Sequence, residues 1–87
     1  MPADEQTIDG VRAVLTRSLQ LGGRGGALDR ATPLLGNLPE LDSMAVVHVL
    51  AAIEEHFGIV VDDDDVSAET FATFGSLADF VASKLAV

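Results

Sequence analysis

Few groups in this chain stand where chemistry could be done. The hydroxyl most set off by its surroundings is Ser43, in LPELDSMAVVHVL (38–50), between an acidic residue and a long apolar run. A serine in the first turn of a helix presents its hydroxyl to solvent while unpaired backbone N–H groups point past it. A phosphate attached there would have its charge favoured by the helix terminus. The plain alternative is N-capping, by Asp42 or by Ser43, and a bare Asp-Ser dipeptide says no more than that.

Other groups offer less. The two histidines, His48 and His56, lack HExxH or other metal-ligand spacing, so no metal is expected. His48 follows Ser43 by five positions, about 140° around a helix, and is badly placed to act as its base. A bundle of 87 residues also offers little concave pocket, which counts against a small hydrolase and against an enzyme generally. The acidic run Asp62–Asp65 is no EF-hand. Counting from each aspartate puts Ser67, Ala68, Glu69 or Thr70 where glycine is required, and Thr73, Phe74, Gly75 or Ser76 where glutamate is. GGRGG (22–26) fits neither dinucleotide nor phosphate-loop spacing and reads as a flexible loop start. The chain has no cysteine, so any thiol must come from outside.

The elements that would hold Ser43 are helical. Ile8, Val11, Leu15 and Leu19 recur at steps of three and four, predicting a helix over 4–21 with acidic residues in its first turn and Gly22 as its stop. Gly10 weakens that helix by about 1 kcal/mol relative to alanine, so its first turn is expected to fray. From Ala27 to Leu41 a long connection carries Pro33, Gly36, Asn37 and Pro39, but also Leu28, Leu34, Leu35, Leu38 and Leu41, too many for a solvated linker. A second helix is predicted over Ser43–Phe57 with Gly58 as its stop and a core stripe of Val47, Leu50, Ile53 and Phe57, widened by Val46 and Val49. After an extended IVV and the acidic turn, a short helix is predicted around Val66–Thr73 with Phe71 inward. The last helix is predicted to start at Ser76, boxed with Asp79, and to face inward with Leu77, Phe80, Val81 and Leu85. Period-2 alternation is absent. The expected fold is all-α: a small four-helix bundle, three longer helices and one short, with a long loop after the first.

Bulk properties narrow the partners. At 87 residues one domain spanning 1–87 is expected, with an aliphatic core, since there are four Phe and no Trp or Tyr. A net charge of −9 disfavours nucleic acid and membrane surfaces and suits docking onto basic protein patches. MPADEQTIDG has neither a basic nor an apolar leader region, and the longest apolar stretch, Met44–Ile53, is far too short to span a bilayer. A cytoplasmic monomer is expected.

LLGNLPELDSMAVVHVLAAIEEHFGI, an acidic turn, a short segment and FGSLADFVASKL together resemble an acyl carrier protein over nearly the whole chain. The elements carrying the resemblance are Leu41-Asp42-Ser43-Met44, then Glu54-Glu55-His56-Phe57-Gly58-Ile59, then Thr73-Phe74-Gly75-Ser76-Leu77. The resemblance implies that Ser43 carries 4′-phosphopantetheine, donated by coenzyme A through a phosphopantetheinyl transferase, with acyl groups riding on the arm as thioesters. It implies Asp42 as the flanking residue, docking through Met44 and the exposed second-helix face including His48, and acidic contacts at Glu54 and Glu55. Acyl-activating, condensing or acyl-transfer enzymes would be the partners. Ala45 and His48 stand where fatty-acid carriers put acids, and Pro39-Glu40-Leu41-Asp42-Ser43 departs from the peptide-synthesis pattern. Both point to a dedicated pathway of polyketide-type or exopolysaccharide-associated chemistry. The alternatives are an acidic interaction bundle with unmodified Ser43, and a carrier of aminoacyl groups.

Overall fold

The computed structural model describes residues 3–85, less the side chain of Asp63; Met1 and Pro2, part of the stretch read for a leader, lie outside the described residues. Three α-helices, α1 (Glu5–Ser18), α2 (Ser43–Phe57) and α3 (Phe74–Leu85), are joined through 3₁₀ turns at Gly22–Ala27 and Asp63–Asp65. No strand occurs among the described residues, only an isolated antiparallel bridge between Pro33 and Thr73. The all-α bundle with a long first connection is as expected.

Helix α1 packs against both other helices. Asp4 caps it, accepting from the Thr7 amide at 2.8 Å, and that bond holds the Asp4 carboxyl below its usual range. Val11 and Leu15 are fully buried as expected; so is Val14, outside the predicted stripe, whereas Ile8 is only half-buried. The helix ends earlier than predicted, and Gly22 is not its stop. Leu19 and Leu21 both enter the core, which requires the chain to turn between them. Gln20 makes that turn at a left-handed φ of 54°, and the Leu21 amide reaches back to the Thr16 carbonyl at 3.0 Å, as in a Schellman ending. Gly10 is less a weak point than a contact point: a Cβ there would lie 2.7 Å from Phe57 Cζ, so glycine lets α2 approach.

The GGRGG segment is not a flexible loop start; it folds into the first 3₁₀ turn. Leu21 and Leu28 bury on either side of it, and Gly25 presses on α1 so closely that a Cβ would sit 2.0 Å from Thr16 Oγ1. Beyond it the leucines hold the connection down. Leu28, Leu34 and Leu41 are buried and Leu38 half-buried; Leu35 is exposed. Burying each such leucine contributes about 1.5–3 kcal/mol.

A loop drawn against a core must satisfy its backbone. Here the Leu34 and Leu35 amides donate to the Ala72 and Phe71 carbonyls at 3.0 and 3.1 Å. In return, the Phe74 and Gly75 amides donate to the Thr32 and Arg30 carbonyls at 2.8 and 3.1 Å. The Arg30 side chain reaches further, placing Nη1 and Nη2 at 3.0 and 2.6 Å from the two Asp79 carboxylate oxygens. Those bonds from Arg30 hold the Asp79 carboxyl below its usual range; Oδ1 also accepts from the Ala3 amide at 2.9 Å.

This exchange corrects the predicted C-terminal half. Residues 66–73 form successive turns, with Thr70 and Ala72 amides bonded to Ser67 and Glu69 carbonyls, and the short helical turn lies upstream at Asp63–Asp65. The carbonyls at 71 and 72 accept from the long loop, and the Phe74 and Gly75 amides, which a continuing helix would need, go to Thr32 and Arg30 instead. Phe71 is buried as expected, at 2% exposure. Helix α3 begins at Phe74, not Ser76. Thr73 and Ser76 exchange side-chain-to-amide bonds, each 3.0 Å, in a capping box that leaves Asp79 for Arg30. Leu85, predicted inward, is exposed.

The tightest point of the exchange is Gly75, where a Cβ would meet the Arg30 carbonyl oxygen at 2.7 Å. Gly75→Ala is therefore expected to destabilise the fold by about 1–3 kcal/mol, because backbone has to yield rather than a side chain. Urea denaturation measures this, and a loss of only a few tenths would show that the loop shifts without penalty.

Candidate functional site

The chain reaches Ser43 through a tight sequence of anchors. Leu41 is buried, its amide closing a turn onto the Leu38 carbonyl at 3.0 Å. Asp42 follows in extended conformation (φ −103°, ψ −175°) and caps α2 with both of its acceptors. Its carboxylate takes the Ala45 amide at 2.8 Å and its carbonyl takes the Val46 amide at 2.9 Å. The two local readings of the dipeptide are thereby separated: Asp42 is the cap, and Ser43 is the first helical residue.

Ser43 is exposed, and its hydroxyl bonds to no other described residue. The Asp42 amide is taken by the Glu40 carbonyl at 3.3 Å and the Ala45 amide by the cap, leaving those of Ser43 and Met44 unpaired at the helix end. A primary hydroxyl thus stands beside two open N–H donors on a helix of 15 residues. No base among the described residues is bonded to it. The arrangement suits an acceptor that another protein must activate, with the terminus favouring a phosphate once attached.

Along α2, the stripe facing the core differs from the prediction. Val49 and Ile53 are fully buried, with Val46, Leu50 and Phe57 half-buried beside them. Val47 is not a core residue: it is 62% exposed. One helix face can be covered by α1 and the loop, and Val46, Val49, Leu50, Ile53 and Phe57 fill it at regular spacing. The opposite face carries Met44, Val47, His48, Ala51 and Glu55, all exposed, with Met44 at 68%. Gly58 ends the helix as predicted, at φ 67°.

The two adjacent glutamates have different surroundings. Glu55 is exposed, whereas Glu54 is half-buried and its Oε2 accepts from the Val61 amide at 2.9 Å, tying the following loop to α2. Four of the five basic residues are held in ion pairs: Arg12 with Asp9, Arg24 with Glu40, Arg30 with Asp79, Lys84 with Asp65. Among the described residues no three His, Cys, Asp or Glu groups come together to hold a metal, and no helix is long and apolar enough to cross a membrane.

The family described as "Phosphopantetheine attachment site" matches residues 25–81. The chain belongs to that family. A solution NMR structure of a holo acyl carrier protein from Nitrosomonas europaea is 54% identical to this carrier, with a TM-score of 0.88, covering 94% of this chain and 99% of that one. With the family stand the acyl-carrier fold, the carrier function, the covalently attached 4′-phosphopantetheine and the non-enzymatic role implied by the sequence pattern. A phosphopantetheinyl transferase and acyl-handling enzymes are the general partners of such carriers.

Sequence reasoning named Ser43, Asp42, Met44, His48, Glu54 and Glu55. It missed the exposed Val47, because an apolar residue at a tolerable helical spacing looks like core. It also missed the Arg24–Glu40 pair, which joins residues far apart in the chain.

Cap and acceptor are separable by mutation. Asp42→Ala is expected to cost about 0.5–2 kcal/mol, the usual penalty for losing an N-cap. Ser43→Ala, which removes no hydrogen bond, should leave stability within about 0.5 kcal/mol of the parental chain. Thermal or urea unfolding of the two apo variants gives the comparison; equal losses would mean that Ser43 shares the capping.

Proposed function

We propose that Ser43 bears the phosphopantetheine arm, and that the carrier presents acyl thioesters from there to enzymes docking on the exposed face of α2. The supporting observation is the unpaired, exposed Ser43 hydroxyl on a helix already capped by its neighbour. Attachment would form a phosphodiester between Ser43 Oγ and coenzyme A's 4′-phosphopantetheine phosphate. The pyrophosphate P–O bond of coenzyme A breaks as it forms, adenosine 3′,5′-bisphosphate leaves, and the hydroxyl proton passes to the transferase. The residues present fit the group: the free Ser43 and Met44 amides face a phosphate, and the arm supplies the thiol this cysteine-free chain lacks. A cytoplasmic location accompanies this reading, since the arm is drawn from coenzyme A.

Docking on α2 would be mixed in character. Met44, Val47 and Ala51 offer apolar contact near Ser43, His48 sits among them, and Glu55 adds charge toward the C-terminal end. That pattern fits a partner with an apolar patch flanked by a cation, and supports a dedicated pathway over primary fatty-acid synthesis. Glu54, whose carboxylate is engaged, would contribute to this surface chiefly by fixing the loop behind it.

Incubation of the apo protein with coenzyme A and a broad-specificity transferase is expected to add one arm by intact mass. The idea falls if no mass is gained, or if Ser43→Ala gains it equally. For docking, Glu55→Lys is expected to slow transfer to a partner enzyme by roughly two- to tenfold at low salt and less at high salt, as for an exposed rim charge. Glu54→Lys should in addition raise amide exchange over 59–62. Identical kinetics for Glu55→Lys and parental protein at low salt would exclude Glu55 from the docking surface.

A further inference from the structure

The glycine-rich 3₁₀ turn, rejected as a phosphate loop, has no part in the site described so far, yet one side chain links it to the acceptor. Within GGRGGA the glycines let the backbone lie against the end of α1; Gly25 leaves no room for a Cβ beside Thr16. Leu21 and Leu28 are buried at its two ends, with the Arg24 amide bonded to the Leu21 carbonyl at 3.1 Å. The Cα of Arg24 is therefore fixed by packing. Its guanidinium Nη2 donates to Glu40 Oε2, across 16 positions of chain.

Glu40 is bonded in two directions. Its side chain takes Arg24, and its carbonyl accepts the Asp42 amide, while Asp42 in turn caps α2 through Ala45. The other carboxylate oxygen, Oε1, is closed off from solvent with no bonding partner among the described residues. The contacts run unbroken from the 3₁₀ turn through Glu40 and Asp42 to the first turn of α2, where Ser43 stands.

We infer that Arg24 is a positioning residue for modification of Ser43, fixing through Glu40 the turn that presents the hydroxyl to the transferase. This rests on the reading of Ser43 as the attachment residue. An acceptor oxygen has to be offered to a donor in another protein's site within a fraction of an ångström, and a small displacement is felt in the chemical step. The pair is half-exposed, with Arg24 at 55% and Glu40 at 29% side-chain exposure, so it adds little to global stability. Its loss should therefore show in modification kinetics and not in the unfolding midpoint.

The test compares phosphopantetheinylation of the apo parental chain, Arg24→Gln, Glu40→Gln, the double variant, and the swap Arg24→Glu with Glu40→Arg, using one transferase and coenzyme A. Each single variant is expected to lower kcat by roughly three- to tenfold with the KM for the carrier little changed, the loss expected of a bound but misplaced acceptor. The double variant should be no worse than either single one, and the swap should recover most of the loss. Amide resonances of Asp42, Ser43 and Met44 should shift in Arg24→Gln while far-UV dichroism and the unfolding midpoint stay the same. Parental kinetics in Arg24→Gln would overturn the proposal. So would losses that multiply in the double variant without rescue by the swap, since Arg24 would then be touching the transferase directly. A parental chain that gains no arm, or a Ser43→Ala that does, would refute the reading of Ser43 instead.

Discussion

The backbone exchange between the long connection and the residues before α3 is the constraint on which the rest of this small bundle depends. Leu34 is fully buried, yet it lies in a segment with no helix or sheet of its own to satisfy its amides. Leaving such groups unpaired would offset much of the gain from burying the side chain. The reciprocal bonds of Leu34 and Leu35 with Ala72 and Phe71, and of Phe74 and Gly75 with Thr32 and Arg30, resolve this. They dictate that 70–73 is a run of turns, that Gly75 has no side chain, and that α3 is capped at Thr73. They also set where the connection leaves the core to begin α2.

From that point two neighbouring residues divide the start of α2 between them. Asp42 takes up the structural task, its carboxylate accepting the Ala45 amide and its carbonyl the Val46 amide. Ser43 is left exposed, with a hydroxyl that bonds to no other described residue. On the proposed reading of Ser43, an acceptor beside, and not within, the capping interaction can be modified without dismantling the helix that displays it. The α2 surface shows the same separation. Glu54 is committed to holding the Val61 amide, while Glu55, Val47 and Met44 remain open to a partner.

Charge is distributed to match. The basic residues are few, and four of them are used in pairs that tie α1, the connection and α3 to acidic groups, so the acidic excess is left largely to the surface. Arg30–Asp79 and Arg24–Glu40 both span long stretches of sequence. Neither is deeply buried, and each serves to locate backbone more than to stabilise the fold.

Where local chemistry decides, the residues alone were informative. Helix α2 was legible from end to end, because Asp42 can cap and Gly58 can adopt the left-handed stop without help from elsewhere. Leu41-Asp42-Ser43-Met44, Glu54-Glu55-His56-Phe57-Gly58-Ile59 and Thr73-Phe74-Gly75-Ser76-Leu77 likewise carried the family resemblance that the match over 25–81 bears out. Where two distant segments compete for one group, the residues alone misled. Gln20 takes the left-handed turn that Gly22 seemed made for, because Leu19 and Leu21 must both reach the core. Val47 lies outside because Val46, Val49 and Ile53 already fill the one face α1 covers, and Asp79 belongs to Arg30, not to a cap. Sequence by itself determined the start and stop of α2 and the motifs that mark the family, all properties of neighbouring residues. Only the tertiary structure decided which side chains are occupied and which are free, because that depends on backbone groups brought together from remote parts of the chain.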